Sequence, residues 1–65
     1  MKTKAQAAVV KELREMKKLG MNVPHAAIAA AENPRCFTTV YEPGVPVRVL
    51  ASLFIELAAQ FNTRA

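Results

Sequence analysis

The chain has one histidine and one cysteine, His25 and Cys36. An imidazole that draws the proton from a thiol would make a nucleophile and base pair. No third polar group is placed to orient these two, and with only two glycines in the chain there is no glycine-rich loop to stabilise an oxyanion. The carboxylates are Glu12, Glu15, Glu32, Glu42 and Glu56, and no two of them have a spacing suited to acid–base work. Glu12 and Glu15 lie one turn apart among lysines, where charge balance accounts for them. One histidine and one cysteine also fall short of a structural zinc site. These residues predict no enzyme, no metal, no cofactor and no small-molecule substrate.

Two other sets of residues carry chemistry of a different kind. Lys4, Lys11, Arg14 and Lys18 recur at a spacing that places them on one side of a helix. With a formal charge of +4 and a pI near 9.7, such a row could neutralise phosphates of a nucleic acid. No element to read bases accompanies it, since the segment that follows offers only His25, Glu32 and Asn33 as polar reading groups. The second set is the stretch RVLASLFIELAAQF, Arg48 to Phe61. Leu50, Phe54, Leu57 and Phe61 already supply the apolar arc that one core-facing helix needs. Val49, Leu53 and Ile55 exceed that need, and surplus apolar area of this kind marks an association surface. Phe37 and Tyr41, in the segment just before, add aromatic anchors to the same expectation.

The elements that position these residues follow from periodicity and end signals. KTKAQAAVVKELREMKKLG is rich in helix formers and ends on lysines followed by Gly20, which predicts a helix over about 3–19. Its apolar side is Ala5, Val9, Leu13 and Met16, opposite the cation row. Pro24 opens a second, alanine-rich helix over about 24–32, with Asn22 as its expected cap and Pro34 as its stop. Residues 34–45 read as an extended linker, because Phe37, Thr38, Thr39, Val40 and Tyr41 prefer extended backbone and EPG signals a turn. Two continuations compete there. A β-hairpin over 36–50 would pair CFTTVY with VPVRVL; a long helix over about 46–62 would instead put Val47, Leu50, Phe54, Leu57 and Phe61 on one face. The helical matches are more numerous.

Size sets the remaining bounds. A chain of 65 residues buries only about 60% of the surface its unfolded form exposes, so it forms one domain with a thin core. Disulfide and metal staples are missing from its composition, which leaves association as the route to further stability. The first apolar run, Ala5 to Val10, is too short for a secretory signal, and a single thiol fits a reducing cytoplasmic setting. The stretch beginning at Arg48 is interrupted by Glu56 and is too short to span a membrane. We therefore expect an all-α three-helix domain, a helical hairpin followed by a long apolar helix, that forms a homodimer. The expected activity is that of a non-enzymatic accessory or regulatory protein. It would bind another protein through Val49, Leu53, Ile55, Phe37 and Tyr41. A nucleic-acid regulator using Lys4, Lys11, Arg14 and Lys18 is the alternative.

Overall fold

A computed structural model describes the backbone of residues 3–62 and the side chains of residues 3–60. Four helices follow one another among the described residues: α1 (Lys4–Lys18), α2 (His25–Glu32), α3 (Pro34–Val40) and α4 (Val47–Asn62). Helices α1, α2 and α4 each pack on the other two, and α3 packs on α2 and α4. None of the described residues lies in a strand.

Helix α1 begins at Thr3, whose hydroxyl accepts the Gln6 N–H at 3.1 Å. It ends in a glycine-terminated cap. Gly20 adopts φ +87°, its N–H donates to the Lys17 carbonyl at 3.1 Å, and the Met21 N–H reaches back to the Met16 carbonyl at 3.1 Å. This pair of bonds is a Schellman motif, which needs a left-handed residue after the cap and brings together the side chains that flank it. Pro24, not Asn22, caps α2, and it offers no side-chain hydrogen bond.

The main departure from the sequence reading is α3. Residues 34–40, expected as part of an extended linker, form a helix, so the domain has four helices and not three. Local hydrogen bonding explains why the β-prone residues do not prevail. The Asn33 side chain accepts from the Arg35 and Cys36 N–H groups at 2.9 and 3.3 Å, and Pro34 takes the first helical position, where no donor is needed. Thr38 and Thr39 turn their hydroxyls back onto the Pro34 and Arg35 carbonyls, which satisfies those hydroxyls within the helix. A turn over residues 42–45 then closes with the Val45 N–H on the Glu42 carbonyl at 3.3 Å and Gly44 at φ +88°. This is the type II geometry that Pro-Gly favours, and it leads into α4 instead of into a second strand.

The abrupt corner between α2 and α3 leaves the Ala31 and Glu32 carbonyls without their usual helical donors. Arg35 and Cys36, which would have supplied them, bond to Asn33 instead. Gln6 on α1 fills the gap. Its amide Nε2 donates to the Ala31 carbonyl at 3.1 Å and to the Glu32 carbonyl at 3.0 Å. Gln6 is the only buried polar side chain among the described residues, and it serves the orphan acceptors of a helix C-terminus.

The core consists of Val9, Val10 and Leu13 of α1, Val23, Ala27, Ile28 and Ala31 around α2, Phe37 of α3, and Leu50, Ala51, Phe54 and Ala58 of α4. Phe54 is fully buried and stacks on Phe37 with ring centroids 5.9 Å apart, and Phe37 in turn stacks on Tyr41 at 5.2 Å. Alanines on α2 and α4 allow the close approach on which this packing depends. Leu57, expected in the core, is half-buried; the Phe61 side chain lies outside the described residues.

Candidate functional site

The residues singled out by chemistry separate into three places. His25 and Cys36 are both exposed, and no hydrogen bond joins them. Among the described residues no three histidine, cysteine or acidic side chains come together as metal ligands, and no described helix is long and apolar enough to cross a membrane.

The cation row is real in geometry. Lys4, Lys11, Arg14 and Lys18 are all exposed on one side of α1. Lys11, Arg14 and Lys18 border a shallow depression floored by Ala7 and Val10, while Arg14, Lys17, Lys18 and His25 border a second one against α2. Acidic groups interrupt the row. Arg14 donates from Nη2 to the Glu32 carboxylate at 2.9 Å, and Glu15 lines the first depression.

The predicted interface residues divide. Val49 and Leu53 are 47% and 39% exposed, as an association surface requires. Ile55, expected to be left uncovered, is half-buried and packs against the core. Phe37 is 3% exposed and is a core residue rather than an anchor for a partner. The helical twist of 34–40 turns it inward between Phe54 and Tyr41, where an extended linker would have left it on the surface. Tyr41 keeps 37% of its surface in solvent while one face of its ring covers Phe37.

Val49 does not stand alone. It lines a groove with Glu12, Met16, Leu19, Met21, Arg48 and Ser52, formed where the end of α1 meets the start of α4. Leu19 and Met21 are the two most exposed large apolar side chains of the described residues, at 81% and 52%. The α1 cap creates this surface: the left-handed Gly20 turns the chain so that Met16 and Met21, the hydrophobic pair that a Schellman motif brings together, both face the groove. Leu53 lies one turn beyond Val49 and extends the apolar strip along α4. The sequence reading missed Leu19, Met21 and Gln6. The first two were signalled by a leucine and a methionine flanking a terminating glycine, and Gln6 by its place one turn before Val9.

Glu12 and Arg48 flank the groove from its two helices. Neither has an ion-pair partner among the described residues. No family model, curated protein or solved structure matches this chain.

Proposed function

We propose that this chain is a small non-enzymatic accessory or regulatory protein that acts by binding another protein chain, through the groove between α1 and α4. The observation that carries this reading is the contiguous apolar surface of Leu19, Met21, Val49 and Leu53, left uncovered in a domain whose core is otherwise closed. Apolar side chains that cluster beside a groove with a charged rim are the pattern of a protein contact site, where a few well-packed anchors supply most of the affinity. Binding there would occlude or scaffold the partner, since no reacting groups accompany the surface. The test is affinity capture with the native protein and with Val49→Glu, which places a charge on the groove wall and leaves the core untouched. A partner retained at high salt by the native chain and lost by a folded Val49→Glu supports the reading. Identical capture by both overturns it.

A second reading rests on a different observation. Five of the nine lysine and arginine residues lie on α1, and the row from Lys4 to Lys18 runs about 21 Å along the helix. Such a row suits the phosphate backbone of a nucleic acid without base readout. Neutralising four phosphates of a duplex predicts an affinity that falls about a hundredfold between about 50 and 200 mM salt. If Lys11→Gln with Lys18→Gln leaves binding to any duplex or single strand unchanged, the row is a solvated face.

A further inference from the structure

We propose that the occupant of the α1–α4 groove is a second copy of this chain, docked about a two-fold axis so that each copy's Leu19 enters the other's groove. The proposal rests on the reading of this groove as an association surface and names its partner. Three features of the surface make it complementary to itself.

The first is shape. Leu19 stands out with 81% of its surface exposed, beside the groove that it lines together with Met16, Met21 and Val49. A knob and a hole on one surface meet their counterparts reciprocally under two-fold symmetry, the commonest arrangement of soluble homo-oligomers.

The second is charge. Glu12 stands on the α1 wall and Arg48 on the α4 wall, each without an ion-pair partner among the described residues. A two-fold that lays the α1 wall of one copy along the α4 wall of the other forms two Glu12–Arg48 contacts. The cation row lies on a different side of α1 from the groove, so its charge is held away from the contact, where salt screens it.

The third is scale. A standard interface takes roughly 800 Å² from each partner, about a sixth of this chain's 4779 Å². The strip runs from Leu19 and Met21, in the turn that ends α1, through Val49 to Leu53 on α4, with Glu12, Arg48 and Ser52 as its polar rim. A chain this short has a thin core, and covering these side chains extends it.

Sedimentation equilibrium over a range of concentrations tests the proposal, with circular dichroism to establish that each variant stays folded. The native chain is expected to dimerise and Leu19→Glu to sediment as a monomer. Glu12→Arg and Arg48→Glu should each weaken the dimer about tenfold, because the altered pair occurs twice in a two-fold assembly. The combined E12R/R48E chain should recover most of the loss, which a merely structural role of either residue would not produce. A native chain that is monomeric at every concentration overturns the proposal. So does a dimer indifferent to Leu19, Glu12 and Arg48. In either case capture that still depends on Val49 leaves the groove as a site for a different protein, whereas capture indifferent to Val49 removes that reading as well.

Discussion

Replacing Gln6 with methionine keeps the length of the side chain and removes both of its amide donors. In the native fold those donors hold the Ala31 and Glu32 carbonyls at 3.1 and 3.0 Å, and neither carbonyl has a helical donor, because Asn33 has taken the N–H groups of Arg35 and Cys36. The two acceptors differ in exposure. The Ala31 bond is buried, so its carbonyl meets the full cost of an unmet acceptor, about 1–3 kcal/mol. The Glu32 bond is only partly buried and adjoins the open groove near Pro34 and Phe37, so water replaces much of it. Burying a thioether in place of an amide offsets part of the sum, and the expected loss is about 2 kcal/mol. For a domain of this size total stability is about 3–10 kcal/mol, so the change lowers the melting temperature by about 8–16 °C. Urea unfolding followed by circular dichroism should show a lower midpoint with an unchanged slope. Gln6→Glu should cost more than Gln6→Met, because it aims an acceptor at two acceptors. A Gln6→Met midpoint within error of the native one would refute the account of the α2–α3 corner.

Three further substitutions probe other joints of the fold. Gly20→Ala should destabilise by about 1–2 kcal/mol through backbone conformation alone, since an added Cβ meets nothing within 4 Å at φ +87°; a thermal melt equal to the native one would count against the left-handed cap. Phe54→Ala should cost about 3–5 kcal/mol by emptying the centre of the core, and near-ultraviolet dichroism should show the Phe37–Tyr41 stack disturbed with it. Arg14→Ala, which removes an exposed ion pair to Glu32, should shift stability by less than about 1 kcal/mol, and the difference should shrink further in high salt. A larger, salt-independent loss would mean that Arg14 packs rather than pairs.

Much of this architecture is legible in the residues. Helices α1 and α4 fall within a residue or so of where periodicity and end signals put them, because both carry a continuous apolar stripe and clear punctuation: the lysines and Gly20 at the end of the first, Pro46 at the start of the second. Helix α3 was hidden by a conflict between levels. Phe37 to Tyr41 is a β-prone run, yet Asn33-Pro34 before it is a helix-start signal, and the cap with the burial of Phe37 outweighs the weaker propensities. The surface was half legible for a similar reason. Counting apolar positions on α4 identified Val49 and Leu53, but which surplus side chains the bundle covers depends on how its helices pack, so Ile55 was misplaced, and the missed α3 left Phe37 misplaced as well. Leu19 and Met21 belong to a turn rather than to a stripe, so periodicity could not find them.

The central claim is that a second chain covers the groove between α1 and α4. Methyl NMR with a soluble paramagnetic probe tests it most directly, by reading the solvent exposure of each methyl group as the protein is concentrated. The account predicts that the methyls of Leu19, Met21 and Val49 become protected together while Ala7, on the cation-bearing side of α1, stays exposed. Groove methyls that remain as open to the probe in concentrated solution as in dilute would contradict it.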